Sequence, residues 1–368
     1  MKKILIISNM DITIYLFRKE IIKRLVDEKY RVIILCPNGE KLEYFSKIGC
    51  EIVDLKMNRH SKNLFKEILL LSEINKQVKR INPDLIMTYT IKPNIYGGIV
   101  ARFRKKKIIS TVTGLGTSIQ RKGFITYIIK RMYRFGFKKT TKVFFQNQSN
   151  LEWYKKNILD TSSYVLTPGS GVNLEAFKFF EIEEKTKTVF LFLGRIMRDK
   201  GINEFLEAAS FVKAKYQDSV EFKVAGLCEK GYEDIIKEFE DKKIIEYLDF
   251  VDDVSKEIKN ADCVVLPSYH EGMSNTLLEA QATGRSVIAS DVPGCINTFI
   301  NGETGFAVKP RNVESLIEKI KDFINTPFEK RNEMSTNARK YVEDNFDRKK
   351  VVEMYFNIIK RVLEKGEK

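Results

Sequence analysis

The sequence predicts an α/β protein with two Rossmann-like units, each built on a parallel sheet. Its 368 residues are too many for one ordinary core and suit two domains of middling size. Short β-rich apolar runs alternate with longer segments of helical periodicity almost throughout, which is the pattern of strands joined by crossover helices. A stretch rich in glycine and turn residues, Thr167 to Lys185, interrupts this alternation and is typical of an interdomain linker.

Each unit has its own series of predicted elements. Helical periodicity covers Ile14 to Val26, Leu64 to Arg80 and Phe124 to Phe137, and the chain is predicted to be helical from Val313 onward. The predicted strands of the first unit are KILIIS, RVIILC, EIVDL, LIMTY, IISTV, KVFFQ and YVLT. Those of the second unit are VFLFLG, EFKVAG, IEYLDF, CVVLP, SVIAS and GFAV.

This series divides the chain into three segments. We expect an N-terminal domain at 1–168, a C-terminal domain at 169–346, and a charged amphipathic helix at 347–368 that can pack back on either unit and is assigned to the N-terminal one. Ligands of parallel α/β sheets bind beyond the carboxyl ends of the strands, so two facing units predict a cleft between them. The first strand runs into SNMDIT instead of Gly-x-Gly-x-x-Gly, which disfavours a dinucleotide-dependent enzyme.

The composition is that of a soluble globular protein, with 43% hydrophobic and 31% charged residues. The start, MKKILIISNM, has a short apolar run before Ser8 and is not expected to be a signal peptide. No uncharged apolar stretch approaches the roughly 18 residues of a membrane span. The five cysteines include no Cys-x-x-Cys pair, which argues against a disulfide framework or a zinc site and favours a cytoplasmic location.

Positive charge is concentrated in the first half of the chain. The net charge is +15, yet residues 1–170 hold 33 Lys and Arg against 13 Asp and Glu, and the remainder is slightly acidic. No acidic residue occurs between Asp84 and Glu152. An anionic partner is therefore expected for the first half: a nucleic acid, a membrane surface or a phosphorylated substrate.

A pair of carboxylates marks the second half. In YHEGMSNTLLEA, Glu271 and Glu279 stand on either side of a turn that opens onto a helix. Ser274 and Asn275 suit a helix N-cap, and the free N–H groups of the first turn attract an anion, ideally a phosphate. One acid precedes the turn and the other lies about 7 to 8 Å along the helix. Each can therefore accept hydrogen bonds from hydroxyl groups on one side of bound phosphates.

A second loop of the same unit supplies cations. After the strand VFLFLG the chain reads GRIMRDKG, Gly194 to Gly201. Arg195 can bind phosphate oxygens with its planar fork, and Lys200 adds a point charge. Together they can stabilise a departing nucleoside diphosphate. The adjacent acids Asp252 and Asp253 are typical of a turn and a helix cap, and they do not form a convincing metal site. Neither a metal nor another cofactor is therefore expected.

These motifs resemble those of the family 4 retaining glycosyltransferases, which have the GT-B fold. The family's Glu-x7-Glu is met by Glu271 and Glu279, and its Gly-Arg-x4-Lys-Gly by Gly194 to Gly201. The likeness extends to DVPGCINTFINGETGFAV at 291–308 and GVNLEAF at 171–177. In the first half, YTIKPNIYGGIVAR and TVTGLGTS are similar to a bacterial subgroup that extends sugars on undecaprenyl diphosphate, including N-acetylgalactosaminyltransferases of protein N-glycosylation and capsule enzymes.

The resemblance implies a role for each residue of the motifs. Glu279 would hold the ribose hydroxyls, Arg195 and Lys200 the diphosphate, and Glu271 the hydroxyls of the transferred sugar near its anomeric carbon. The implied reaction retains the anomeric configuration, with the acceptor hydroxyl attacking the face that the diphosphate leaves. Backbone contacts to the phosphates and the sugar would come from Gly272, Met273, Ser274, Asn275 and Thr276.

The chain departs from the family at three places. Where many relatives carry a histidine near the sugar, it has Thr113, followed by Gly114, and both are assigned to the acceptor side. The first loop reads Asn-Met-Asp at 9–11 in place of a glycine-rich sequence. Ile-Asn at 296–297 replaces a frequent Arg-Glu, so no family contact is carried over to that segment.

The segment Gln120 to Lys142 interleaves aromatic and aliphatic residues with Lys and Arg. It fits an amphipathic crossover helix of a lysine-rich chain. It also fits a helix that lies on anionic lipid, where each basic residue contributes about 1 kcal/mol before salt screening. Both interpretations are open from the sequence, and a polyprenyl-linked acceptor would make the second placement useful.

We therefore expect a metal-independent glycosyltransferase, peripheral on the inner face of the cell membrane. It would move an N-acetylhexosamine or a hexose from a UDP-sugar to an undecaprenyl-diphosphate-linked saccharide in surface polysaccharide or glycan assembly. Three alternatives stay open: a UDP-sugar 2-epimerase of the same architecture, a basic nucleic-acid-binding module and a non-catalytic sugar-nucleotide sensor. The nucleic-acid interpretation lacks an RNA or DNA motif and leaves the glutamate pair unexplained, so no nucleic-acid partner is expected.

Overall fold

The computed structural model describes residues 1–57, 63–114 and 123–364. The chain divides into two compact units, Met1–Ser170 with Lys350–Lys368, and Gly171–Lys349. The predicted segment that starts at Gln120 and the TVTGLGTS motif each lie partly outside the described residues. Within the described ranges, no helix is both long and apolar enough to cross a bilayer.

Unit 1 is built on a sheet of seven parallel strands within the described residues. Their order is β3-β2-β1-β4-β5-β6-β7, so β1 has a neighbour on each side and pairs Lys3 with Arg31 and Ile4 with Leu85. Six of these seven strands fall within a predicted run, and β5 begins one residue before the run IISTV. The strands are β1 (Lys3–Ile7), β2 (Arg31–Cys36), β3 (Glu51–Asp54), β4 (Leu85–Tyr89), β5 (Lys107–Val112), β6 (Lys142–Phe145) and β7 (Tyr164–Leu166).

Helices cover both faces of this sheet. Along β1, Leu5 and Ile7 pack into a core with residues of α3 to α6, whereas Ile4 and Ile6 pack with residues of α1 and α2. Since successive side chains of a strand point to opposite faces, a continuous apolar run such as KILII indicates a sheet buried on both sides. The helices are α1 (Asp11–Asp27), α2 (Leu42–Lys47), α3 (Leu64–Ile81), α4 (Ile91–Phe103), α5 (Phe124–Phe137) and α6 (Gln148–Asn157).

Unit 2 repeats the plan with six parallel strands among the described residues, in the order β10-β9-β8-β11-β12-β13. Of the predicted run IEYLDF only two residues form a strand, because Asp249 at φ 54 turns the chain out of the extended conformation. The strands are β8 (Thr188–Leu193), β9 (Val220–Ala225), β10 (Glu246–Tyr247), β11 (Cys263–Leu266), β12 (Ser286–Ser290) and β13 (Gly305–Val308). The helices are α7 (Ile202–Tyr216), α8 (Glu233–Asp241), α9 (Val254–Asn260), α10 (Asn275–Ala282), α11 (Val313–Asn325) and α12 (Phe328–Phe346).

The last helix, α13 (Arg348–Glu364), belongs to unit 1 from Lys350 onward. The Tyr355 ring stacks on Phe144 of β6 with 4.2 Å between ring centroids. Lys107 donates from Nζ to the Val362 carbonyl at 2.7 Å. The apolar face of α13 therefore completes the core on the α1 side of the first sheet.

The chain passes between the units after Ser170 and again after Lys349. On the unit 2 side, Val172 and Asp347 form an isolated parallel bridge, and the buried Arg348 donates from Nη2 to the Gly171 carbonyl at 2.9 Å. Gly171 has φ 67, and a Cβ there would lie 2.7 Å from the Arg348 Cα. The two segments where the chain crosses between the units are thus bonded to each other next to Gly171, a position that only glycine can occupy.

Gly171→Ala should lower the free energy of unfolding by roughly 3 kcal/mol, because it combines a left-handed backbone with a main-chain clash. Gly302→Ala is the matched control: Gly302 has φ 83, but a Cβ there would contact nothing within 4 Å. That variant should lose only about 1 kcal/mol. Urea unfolding of both variants measures the difference, and equal losses would contradict the importance of the close contact.

Candidate active site

The candidate site lies at the carboxyl ends of β8, β11 and β12. The chain runs from β8 to β9 on one side and from β11 to β12 on the other, so the crevice between β8 and β11 is a topological switch point. Parallel α/β sheets bind their ligands at such crevices. The loops that follow these strands are Gly194 to Gly201, Pro267 to Ser274 and Asp291 to Asn297.

Gly201 lets the first two loops approach each other. It has φ 76, and a Cβ on it would lie only 2.1 Å from the Pro267 carbonyl oxygen. The Tyr269 N–H donates to the Asp199 carbonyl at 2.9 Å across the same contact. The final glycine of the GRIMRDKG motif is therefore required by packing, whatever the loop binds.

Lys200 and Glu271 are brought into direct contact by this approach. The Lys200 ammonium pairs with the Glu271 carboxylate, and both side chains are largely buried. The fully buried Ser268 donates from its hydroxyl to the same carboxylate at 3.0 Å. Two residues that the motifs predict on separate loops thus form one charged pair, and Glu271 is held from two sides.

The third loop supports the turn that follows Glu271. The Ser274 N–H donates to the Gly294 carbonyl at 2.8 Å. Gly294 has φ 83, and a Cβ there would lie 2.6 Å from the Glu271 carbonyl oxygen. The Pro-Gly turn of the DVPG sequence therefore fixes the backbone of Gly272 and its neighbours.

Helix α10 begins at Asn275, as the motif predicts. Ser274 is its N-cap residue, but the Ser274 side chain makes no capping hydrogen bond. The Asn275 Oδ1 is buried and has no hydrogen-bond partner in the described chain. Gly272 is buried, while Thr276 is partly exposed. The first N–H groups of this helix are therefore not capped by the Ser274 side chain, which suits an anion-binding helix end.

Met273 plays a different part from its neighbours. Its side chain is buried in a small apolar cluster with Val172, Leu278 and Phe346. What Met273 can offer to a ligand is its main chain, as the family resemblance implies.

Glu279 lies one turn further along α10 in a largely desolvated position. Burial raises the pKa of its carboxyl to about 7, and the nearby Arg348 guanidinium partly opposes this rise. Arg348 is the same side chain that bonds the Gly171 carbonyl. A carboxyl with this pKa gains most from hydrogen-bond donors such as vicinal hydroxyls, because they stabilise its ionised form.

Arg195 follows β8 directly and pairs with a residue that the motifs do not include. Its Nη1 donates to Glu229 Oε1 at 2.9 Å, and both side chains are about two-fifths exposed. Glu229 lies in the loop between β9 and α8. No hydrogen bond joins Arg195 to another of the predicted site residues within the described chain.

Thr113 and Gly114 belong to unit 1, where they follow β5 at the carboxyl edge of the first sheet. Both are partly exposed. The neighbouring strand β4 is followed by Thr90, a β-branched residue with φ 71, whose buried Oγ1 has no partner among the described residues. Such strain is uncommon for a β-branched residue. No sequence pattern indicates it.

Several residues that shape the site were not predicted. Ser268 and Glu229 bond predicted residues, and the charge of Arg348 acts on Glu279. Each is an ordinary polar residue in the sequence, without a spacing that marks it. Gly294 could have been found, since Pro-Gly is a turn signal. Nothing in the sequence connects that turn to Glu271.

Two family profiles match the chain. The profile described as glycosyl transferases group 1 matches residues 174–341, and the profile described as glycosyl transferase 4-like matches residues 3–147. Together they cover nearly all of both units.

Curated relatives match over most of their length. An N,N'-diacetylbacillosaminyl-diphospho-undecaprenol alpha-1,3-N-acetylgalactosaminyltransferase of Campylobacter jejuni is 29% identical over 85% of this chain and 87% of its own. The capsular polysaccharide biosynthesis glycosyltransferase CapM of Staphylococcus aureus is 26% identical, covering 86% of each chain. A UDP-Gal:alpha-D-GlcNAc-diphosphoundecaprenol alpha-1,3-galactosyltransferase of Escherichia coli is 25% identical over 92% of this chain and 88% of its own.

Solved structures share the fold at lower identity. Anabaena HepE, crystallised with UDP and glucose, superposes with a TM-score of 0.80 at 14% identity, covering 98% of this chain and all of that one. A sucrose-phosphate synthase of Thermosynechococcus elongatus also gives 0.80, at 16% identity and with full coverage of both chains.

Two parallel-sheet α/β units, together with the likeness to these structures, define the GT-B fold. The chain is a glycosyltransferase, with a C-terminal half of the group 1 type and an N-terminal half of the 4-like type. The predicted fold class, family and enzyme class are confirmed.

Glu279→Gln should stabilise the protein in a pH-dependent way. Below about pH 4.5 Glu279 is protonated in both the folded and the unfolded chain, so the substitution changes little. Between about pH 4.5 and 7 only the unfolded chain ionises, and native stability falls relative to the variant. Above pH 7 the advantage of the variant should reach roughly 3 kcal/mol.

Urea unfolding at pH 5 and pH 8 measures this change. Glu238→Gln is the control, because Glu238 is an exposed carboxylate of α8 paired with Lys242. Its effect should be small at both pH values. A stabilisation by Glu279→Gln that is the same at pH 5 and pH 8 would contradict a raised pKa at this position.

Proposed function

We propose that the chain transfers an N-acetylhexosamine or a hexose from a UDP-sugar to a saccharide carried on undecaprenyl diphosphate, with retention of the anomeric configuration. The observation that carries the proposal is the arrangement at the switch point of unit 2. There, two cations and the carboxylate of Glu271 lie on loops that are held in place by main-chain contacts, and Glu279 lies on the helix whose open N-terminus follows. This arrangement suits a ligand with a diphosphate between two groups rich in hydroxyls.

The donor would lie along this arrangement. Arg195, Lys200 and the first N–H groups of α10 would bind its diphosphate, and the backbone of 272–276 would surround it. The ribose hydroxyls would reach Glu279, whose raised pKa makes it a carboxyl that gains from such donors. Glu271 would hold hydroxyls of the transferred sugar near the anomeric carbon.

The contact between Lys200 and Glu271 gives the reaction step a physical basis. As the bond from the anomeric carbon to the diphosphate breaks, negative charge grows on the leaving group, and Lys200 and Arg195 stabilise it. The carboxylate of Glu271 lies beside Lys200 and can stabilise positive charge at the sugar. The acceptor hydroxyl would attack the anomeric carbon on the same face and pass its proton to the departing diphosphate.

The relatives support the acceptor class. The Campylobacter jejuni and Escherichia coli enzymes are named for saccharides on diphospho-undecaprenol, and the Staphylococcus aureus enzyme for capsular polysaccharide biosynthesis. The chain covers more than four-fifths of each of them. A lipid-linked saccharide is therefore the acceptor we propose, in surface polysaccharide or glycan assembly.

A two-stage experiment tests the function. A panel of nucleotide sugars is screened by thermal shift, and the best binder is then incubated with lipid-linked mono- and oligosaccharides. We expect a product only when donor and acceptor are both present, with the donor's anomeric configuration retained. Consumption or epimerisation of the donor without acceptor would instead favour the 2-epimerase, and salt-sensitive RNA binding indifferent to UDP would favour the nucleic-acid module.

Substitutions of the two glutamates should have different effects on kcat and KM. Glu271→Gln keeps the shape of the side chain but removes the charge beside the reacting sugar, so kcat should fall by about a hundredfold. Glu279→Gln should chiefly raise the KM of the donor, because it weakens a contact made in the ground state as well. Normal turnover in Glu271→Gln would contradict its assigned role, and Glu238→Gln should behave as the native enzyme does.

We also propose that unit 1 lies on anionic lipid at the inner face of the membrane. On α5, Tyr127 and Ile128 are 53% and 41% exposed, in a helix that also carries Lys130, Arg131 and Arg134. The opposite side of the same helix buries Tyr133 and Phe137 in the core. The helix therefore serves as a crossover element, and its outer face combines apolar and basic groups as an interfacial helix does.

Further apolar residues are exposed on α3 and α4 of the same unit. Phe103 of α4 is 71% exposed and contacts the Phe135 ring of α5, with 5.8 Å between ring centroids. At the start of α3, Phe65 and Ile68 are 69% and 56% exposed. With few acids nearby, these side chains support insertion into a bilayer surface that attracts the basic half.

Tyr127→Ser combined with Ile128→Ser should reduce sedimentation with acidic liposomes at low salt, because it removes apolar area from the interfacial face. Phe211→Ser is the control, as Phe211 is equally exposed on unit 2. Liposomes of zwitterionic lipid should bind the native protein weakly. Failure of the folded native protein to sediment with acidic liposomes would remove the membrane proposal.

A further inference from the structure

Glu229 is the acid that Arg195 contacts, and no motif assigns it a role. We infer that Glu229 is a positioning residue, which orients the Arg195 guanidinium toward the donor diphosphate. The inference rests on the proposed function, since it assumes that Arg195 binds phosphate.

The backbone fixes both residues next to each other. The Gly194 N–H donates to the Ala225 carbonyl at 3.0 Å, and the Ile196 N–H to the Leu227 carbonyl at 2.9 Å. The Glu229 N–H returns a bond to the Ile196 carbonyl at 3.0 Å. The loops after β8 and β9 thus continue the parallel pairing past the strand ends, on both sides of Arg195.

A glycine makes this continuation possible. Gly226 has φ 139, and a Cβ there would lie 2.0 Å from the Gly194 carbonyl oxygen. The main chains of the two loops are therefore in close contact, and the Glu229 side chain on the loop after β9 lies next to Arg195. Ile196 and Cys228 form an isolated parallel bridge at the same level.

The side-chain geometry leaves the guanidinium available. Arginine has five N–H donors in a rigid planar fork. Glu229 accepts from Nη1, and the described chain supplies no hydrogen-bond acceptor for Nε or Nη2. With Nη1 bonded to Glu229, the guanidinium still presents the edge that carries Nε and Nη2. These two donors match two oxygens of a phosphate.

The opposite role for Glu229 would be competition, in which its negative charge repels the diphosphate and occupies Arg195. The two roles differ in the sign of their effect. Loss of an anchor weakens diphosphate binding, whereas loss of a competing charge strengthens it. Two substitutions separate these effects, because glutamine keeps an acceptor oxygen and removes the charge, while alanine removes both.

The affinity for UDP is measured by calorimetry on the full-length protein. Glu229→Ala should bind UDP about three- to fivefold more weakly than the native protein, which suits an anchor that is partly exposed. Glu229→Gln should stay within about twofold of the native affinity, because its amide oxygen still holds the fork. If both variants bind UDP more tightly, or both equally weakly, Glu229 is not a positioning residue.

A double-mutant cycle shows whether the effect passes through Arg195. In an Arg195→Ala background, adding Glu229→Ala should change the UDP affinity no further. The same loss in both backgrounds would overturn the inference, and so would an equal loss in Glu238→Gln, a charge change on the neighbouring helix. Absence of UDP binding in the native protein would refute the proposed UDP-sugar function itself, whereas native binding unaffected by Glu229→Ala would refute this inference alone.

Discussion

The candidate site depends on the close approach of two loops at the carboxyl ends of β8 and β11. Gly201 permits this approach, because any side chain there would overlap the Pro267 carbonyl. The approach carries Lys200 against Glu271 and lets the Tyr269 N–H bond the Asp199 carbonyl. A parallel sheet brings many strand ends to one edge, but only such a main-chain contact places a cation and a carboxylate from different loops within bonding distance.

The fold could be predicted well from the sequence, since strands buried on both faces are apolar runs. KILII and VFLFL are such runs, short and rich in β-branched or aromatic residues. The site could be predicted in part. Arg195, Lys200, Glu271 and Glu279 carry recognisable spacings, and all four lie on the switch-point loops or on α10. Their partners could not be predicted, because Glu229 is 34 residues from Arg195 in the sequence, and Arg348, which acts on Glu279, is held by a bond to Gly171 that is 177 residues away.

The ionised form of Glu279 lowers the stability of the folded protein. Glu279 is desolvated, and its pKa of about 7 means that the ionised carboxylate costs free energy near neutral pH. A ligand that donates hydroxyl hydrogen bonds to Glu279 offsets that cost, so binding and ionisation favour each other. Arg348 joins this carboxyl to the segment where the chain enters unit 2, through its bond to Gly171. Stability is thus lowered where the proposed donor contacts are made, a pattern common at functional sites.

The central claim is that a diphosphate is bound by Arg195, Lys200 and the N-terminus of α10. Calorimetry with uridine, UMP and UDP tests it most directly in the native protein and in Arg195→Ala combined with Lys200→Ala. We expect the affinity to rise with each added phosphate in the native protein, by about tenfold or more between UMP and UDP, and this gain to disappear in the double variant. Equal affinities for all three compounds, or a phosphate gain that survives both substitutions, would contradict the account.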